Sequence, residues 1–221
     1  MKRIAIIGVL LSLCTSLVYS YQLSESDFSR SMMHYFETRS PDFFDDSVQF
    51  FSERKIDSGH ARDIYVAFFC EFSKDEAQRD QIIAALNKND NKNLHDFFDF
   101  VLKVDIDRFF GTQKPSSDLN DLYWACYFAS GSNAYLQQIF DTAFDHLSEQ
   151  KDLGLFLAAT SAAWSLASNA QQFPSVTTYL KRISDDSTSR FVSEVLTRSP
   201  ESYRTQAIDF IKKQRAKGIW K

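Results

Sequence analysis

The chain has 221 residues and a formal net charge of −4 at neutral pH. Hydrophobic residues make up 44% of it, which is enough for a packed core and excludes a disordered or low-complexity chain. An acidic chain without a clustered basic patch binds nucleic acid poorly, so we expect no nucleic-acid partner.

The composition favours helices. There are 21 Phe but only six Gly and four Pro. The prolines precede periodic segments, and Gly59, Gly111, Gly131 and Gly218 fall at the ends of such segments. Runs of alternating β-branched residues are few. The sequence therefore predicts an all-α fold with an aromatic core.

The first twenty residues have the pattern of a secretory signal peptide. Lys2 and Arg3 precede an apolar run over 4–13, and Ser20 ends a short stretch suited to cleavage. A run of ten apolar residues is too short for a membrane span of about 20 residues. We expect a periplasmic or secreted protein with no integral span, made of one domain over 21–221. Removal of Lys2 and Arg3 with the signal peptide changes the net charge from −4 for the whole chain to −6 for that domain.

Amphipathic periodicity, with capping residues and proline at the starts of the runs, predicts about ten helices after the leader. They cover 24–39, 41–54, 61–72, 75–86, 94–104, two helices within 119–147, 152–170, 174–183, 189–196 and 200–217.

The stretch 119–147 organises the chain. Its first half is apolar around most of the helix circumference, which is typical of a fully buried helix and makes Trp124 a core residue. Its second half has one apolar stripe, from Leu136 to Leu147, against a polar face. Gly131 suits a left-handed helix end, and Ser132 suits the N-cap of the next helix.

The chain resembles the tetratricopeptide-like family of helical hairpins. The residues that carry the resemblance are Trp124, Tyr127, Ala129 and Tyr135, together with the stretch 164–174. The resemblance implies stacked antiparallel hairpins in a short α-solenoid, a fold that offers extended binding surfaces. The segments FASGSNAYLQQI and AAWSLASNAQQFP are also similar to those of an uncharacterised secreted bacterial α-helical family, which implies a fold and a compartment but no activity.

The sequence contains no recognised catalytic or cofactor-binding motif, so we predict neither catalytic residues nor a cofactor. No two of the four histidines have the helical spacing of metal ligands, and the asparagines of 87–93 lack the glycine and glutamate of a calcium loop. We therefore predict no metal site. Cys70 and Cys126 fall inside helices and are interpreted as buried free thiols, although an exported protein permits a disulfide.

Four residues are candidates for binding. Trp124, Tyr127 and Trp164 could line a groove for a ligand or peptide, and Asn169 lies near a helix end, before Pro174. Aromatic residues at helical spacing are more often part of a core, and an asparagine near a helix end more often caps it. Both interpretations stay open at this stage.

We expect an exported, non-catalytic α-helical protein that acts as an interaction module for a protein partner. Two alternatives remain. One is a periplasmic immunity or inhibitor protein for a basic toxin or enzyme, which the acidic charge favours. The other is an enzyme whose site has no recognised motif.

Export is directly testable. We predict cleavage near Ser20, because the charged, apolar and small-residue regions occur in the order that signal peptidase requires. N-terminal sequencing of the exported protein measures it. A protein that keeps Met1, or one that carries lipid on Cys14, would contradict the prediction.

Overall fold

The computed structural model describes residues 23–56 and 59–220, and this part of the chain is all α-helical, as the sequence predicts. The predicted signal peptide lies outside the described residues. Within them there are twelve helices: α1 Glu25–Thr38, α2 Phe43–Glu53, α3 His60–Phe72, α4 Glu76–Lys88, α5 Lys92–Val101, α6 Ile106–Phe110, α7 Ser117–Ser130, α8 Asn133–His146, α9 Leu153–Gln172, α10 Pro174–Arg182, α11 Ser189–Thr197 and α12 Pro200–Ala216.

Side-chain caps set several of the helix starts. Ser24, Asp75 and Asp152 each accept a hydrogen bond from a backbone N–H in the first turn of the helix that follows. Asp105 does the same for α6, a helix that the sequence analysis did not predict. Five residues with one buried apolar side chain, Ile106, are too few to give a periodic signal.

The centre of the molecule is α7, which packs against α1, α3, α8 and α9. Ten of its fourteen residues are buried, which confirms the prediction of a helix that is apolar around its circumference. The second central helix is α9, which also contacts α10, α11 and α12. Its buried face is mostly Ala and Ser, so these neighbours approach it closely. Consecutive helices pack in pairs, which is compatible with a helical solenoid.

The polar atoms of the buried α7 have partners across helix boundaries. The Asn120 side-chain amide donates to the Ala158 carbonyl at 2.9 Å, and the Trp124 indole N–H donates to Ser165 Oγ at 2.9 Å. Because a buried polar group without a partner costs free energy, these bonds restrict how α9 can lie on α7.

Phenylalanine rings fill the core between α1, α2, α3 and α5. Phe28 stacks on Phe50 with ring centroids 4.0 Å apart, and Phe51 stacks on Phe97 at 3.9 Å. Phe69 meets Phe51 edge to face. Aromatic pairs in these geometries stabilise a core beyond the area they bury.

The α7–α8 connection agrees only in part with the sequence analysis. Gly131 is left-handed, with φ of 74°, and its N–H bonds the Tyr127 carbonyl, as predicted for a helix end. Ser132 stands at the N-cap but its hydroxyl makes no capping bond; instead, the Ser130 hydroxyl accepts from the Ser132 N–H. In α8 the first part of the apolar stripe, from Leu136 to Ala143, is buried, whereas Phe144 is exposed and Leu147 is half-buried.

The C-terminal residues fold back on the protein. Trp220 is buried against Phe156 and Phe210, and its indole N–H donates to the Lys151 carbonyl at 3.2 Å. Trp220 is therefore part of the packed interior and is not exposed for contact with another molecule. No helix within residues 23–56 or 59–220 is long and apolar enough to cross a membrane.

Gly131 offers a matched test of the packing. A Cβ added there would lie 2.8 Å from Cδ2 of Phe36, whereas at Gly218, also left-handed, it would meet nothing within 4 Å. The left-handed backbone alone costs an L-residue about 1–2 kcal/mol. The crowded ring adds about 1–3 kcal/mol at Gly131. Urea unfolding should therefore show Gly131→Ala to be the more destabilising of the two substitutions. Equal losses of stability in the two variants would show that the Phe36 ring of α1 does not constrain this turn.

Candidate functional site

The structure brings three of the four candidate binding residues together and separates the fourth. Trp124, Trp164 and Asn169 line one groove between α1, α3, α7 and α9. Tyr127 lies elsewhere: it is 1% exposed, its ring packs against Phe36, and its hydroxyl donates to Ser175 Oγ at 3.0 Å. Its position is that of a core residue.

We call this feature the Trp164 groove. Its volume is about 380 Å³, and four helices supply its walls and floor. The residues that line it are Ser29, Met32 and Met33 of α1, His60, Ile64 and Tyr65 of α3, Asp121, Trp124, Ala125 and Phe128 of α7, and Trp164, Ser165 and Asn169 of α9.

The two tryptophans have opposite roles. Trp124 is only 5% exposed and forms part of the floor, held by its bond to Ser165, whose own hydroxyl donates to the Ala162 carbonyl at 2.9 Å. Trp164 is 42% exposed, although it stands next to Ser165 in α9. The small Ala and Ser side chains of α9 allow it to pack closely on α7, and the large Trp164 indole lies at the exposed edge of the groove.

Asn169 turns its amide toward its own helix. The side-chain amide donates to the Ser165 carbonyl at 3.0 Å, and its backbone carbonyl accepts from the Phe173 N–H at 2.8 Å. Both bonds belong to the last turns of α9. Asn169 thus lines the groove while its side-chain amide donates within its own helix.

A polar pair lies at another part of the rim. His60 Nε2 is 2.8 Å from Asp121 Oδ2, and the two side chains are 44% and 45% exposed. Because a carboxylate only accepts hydrogen bonds, Nε2 is the protonated nitrogen in this pair. Asp121 and Trp124 are three residues apart in α7, so the carboxylate stands about one turn from the tryptophan floor.

Elsewhere, polar groups combine into a closed network. The Tyr135 hydroxyl donates to Glu71 Oε2 at 2.5 Å, and Lys74 Nζ lies 2.8 Å from both Glu71 and Asp107. Burial raises the pKa of Tyr135 well above its usual value, and the Glu71 carboxylate adds to the shift, so the phenol keeps its proton. This network joins α3, α6 and α8 and is structural in character.

Both cysteines next to this network are free and buried, in agreement with the preferred sequence interpretation. The thiol of Cys70 faces the Val101 carbonyl at 3.6 Å, and that of Cys126 faces the Ala67 carbonyl at 3.4 Å. Burial raises the pKa of Cys70 to about 12 and that of Cys126 well above its usual value. Thiols that stay protonated near neutral pH are poor nucleophiles and poor metal ligands.

The described residues contain no group of three or more His, Cys, Asp or Glu side chains that could hold a metal. His95 bonds the Asn89 carbonyl at 2.8 Å, next to a polar turn in which Asn91 caps α5. Within the asparagine-rich stretch 87–93, residues 89–91 therefore form the turn between α4 and α5, and Asn91 caps α5.

Sequence reasoning missed most of the groove. Met32, Met33 and Ile64 belong to ordinary apolar stripes, and nothing in a stripe shows which members will meet another helix and which will face an opening. His60 and Asp121 are 61 residues apart. The available signal was Asp121 itself, an acid inside the mostly apolar stretch of α7 that follows its first turn.

Comparisons of the chain with protein-family models, with curated proteins and with solved structures found no match in any of the three. The function proposed for the protein consequently depends on the residues of the Trp164 groove.

Proposed function

We propose that this protein is an exported, non-catalytic interaction module that binds a partner protein in the Trp164 groove. The observation that carries the proposal is the exposed indole of Trp164 at the edge of an apolar groove of about 380 Å³. That volume lies within the range of about 300–1,000 Å³ that is usual for ligand pockets. Tryptophan is also among the residues that contribute most to protein interfaces.

The surroundings favour binding over chemistry. Two polar residues of the lining donate hydrogen bonds to carbonyls of their own helix rather than into the groove. They are Ser165 and Asn169. The wall side chains Met32, Met33 and Phe128 are apolar, and methionine adapts its shape to different partners.

Two further features support the exported module. The order of charge, apolar run and small residues over 1–20 is that of a secretory leader. Paired neighbouring helices are the plan of tetratricopeptide-like proteins, which act through extended binding surfaces; this support is an analogy of fold.

A second candidate is a periplasmic immunity or inhibitor protein that binds a basic toxin or enzyme. The net charge of −6 over residues 21–221 favours it, because opposite charge speeds the encounter of two proteins. Both candidates use a protein partner and differ only in what that partner does.

α9 offers a matched pair of substitutions to test the groove. Leu157 and Trp164 lie on the same helix and are exposed to nearly the same extent, 41% and 42%, but only Trp164 lines the groove. Replacing either exposed side chain by Ala should change stability by only about 0.5 kcal/mol. We predict that a partner retained by the immobilised parent from its own periplasmic or secreted fraction is retained by Leu157→Ala and lost by Trp164→Ala.

Retained proteins are identified by mass spectrometry, and thermal melting of each variant checks that the fold is intact. A partner that binds both variants equally would show that the interface lies outside the groove. A partner that both variants lose would place the interface along the whole outer face of α9.

A further inference from the structure

We infer that the Trp164 groove recognises an arginine flanked by apolar side chains, carried on a segment of the partner protein. The guanidinium would lie against the Trp164 indole and pair with the Asp121 carboxylate, while the apolar neighbours enter between α1 and α7. This inference rests on the proposed function and adds the chemistry of the partner.

The first support comes from the arginines of the chain itself. In the described part of the protein, arginines lie over five aromatic rings, with distances to the ring centroid of 4.3 to 6.0 Å. The rings are those of Tyr35, Phe50, Phe100, Tyr179 and Tyr203.

The comparison between Phe100 and Trp164 is informative. Phe100 is 41% exposed and is covered by Arg62 at 4.5 Å, whereas none of these five arginines lies over Trp164, which is exposed to the same degree. Tryptophan has the aromatic face that attracts cations most strongly. Arginine over an aromatic ring is thus a contact that the protein makes repeatedly, and the Trp164 indole offers an exposed ring at which an arginine of a partner could make it.

The second support is the charge around the groove. Asp121 is the acidic residue of the lining, and no lysine or arginine lines the groove among the described residues. His60 donates to Asp121 Oδ2 and so orients the carboxylate. Further along, the Tyr65 hydroxyl donates to Glu25 Oε1 at 3.3 Å, and Arg54 stands near enough to act on the same phenol. Within the lining itself, the Asp121 carboxylate is the group that carries formal negative charge.

Arginine fits these two groups better than lysine does. Its planar guanidinium can stack on an aromatic face and donate along its edge to a carboxylate at the same time. The rest of the lining requires apolar neighbours for that arginine. Met33, Ile64 and Phe128 offer no charged group, and burial of their apolar surface supplies binding energy only if the ligand is apolar there too.

The probe is a pair of acetylated, amidated pentapeptides, GLRLG and the same peptide with citrulline in place of arginine. Citrulline keeps the shape of the side chain and removes its charge. The readout is the ¹⁵N-indole spectrum of the protein, which has three tryptophans, with the Trp164 signal assigned by Trp164→Phe. The indole N–H of Trp220 donates to the Lys151 carbonyl away from the groove, so its signal serves as the internal control.

GLRLG should shift the Trp164 signal and bind about fivefold more tightly than the citrulline peptide, as expected for a cation–π contact with a half-exposed ion pair. Asp121→Asn should weaken GLRLG about three- to fivefold and leave citrulline binding unchanged. Asp118→Asn makes the same change of charge one turn earlier on α7, outside the groove, and should leave both affinities unchanged.

Equal affinities of the two peptides for the parent protein would overturn the inference, and this comparison requires no variant that must fold. A Trp164 signal that neither peptide moves would overturn it as well. The proposed function is decided separately by whether the natural partner distinguishes Trp164→Ala from Leu157→Ala, so the two failures can be told apart.

Discussion

The structure depends on the burial of α7, ten of whose fourteen residues are buried. The polar side chains that are buried on this helix have no solvent to bond, so each must find a partner on a neighbouring helix. Asn120 bonds the backbone of α9, Trp124 bonds Ser165, and Cys126 faces the Ala67 carbonyl of α3. These contacts fix α3 and α9 on different sides of α7, and the remaining helices pack on that arrangement.

The Trp164 groove follows from the same arrangement. α1 and α9 both pack on α7, and Trp124 and Phe128 of α7 line the gap that remains between them. The bond between Trp124 and Ser165 keeps the floor rigid. Trp164, the next residue before Ser165, then has to face outward. A rigid floor beside an exposed aromatic residue lowers the entropy cost of binding, because less of the protein must be ordered when the partner arrives.

Much of the fold could be predicted from the sequence, because it is encoded locally. Caps such as Ser24 and Asp75, the left-handed Gly131 and the all-round apolar character of α7 are properties of adjacent residues. The short α6 has too few residues for periodicity, and the groove depends on residues far apart in the chain. Sequence reasoning therefore found Trp164 as a candidate, but it could not separate that residue from Tyr127, which the structure buries.

The central claim is that α7, through Trp124, holds the fold together, and it is tested most directly by the unfolding of Trp124→Ala beside that of Gln138→Ala. Truncating a buried tryptophan costs about 3–5 kcal/mol, a large part of the about 5–15 kcal/mol by which a domain is stable. Gln138 is exposed on α8, and its loss should cost no more than about 0.5 kcal/mol. We predict a sharp fall in melting temperature, or failure to fold, for Trp124→Ala alone. A Trp124→Ala protein that melts like the parent while losing its partner would show that Trp124 belongs to the binding surface and not to the core.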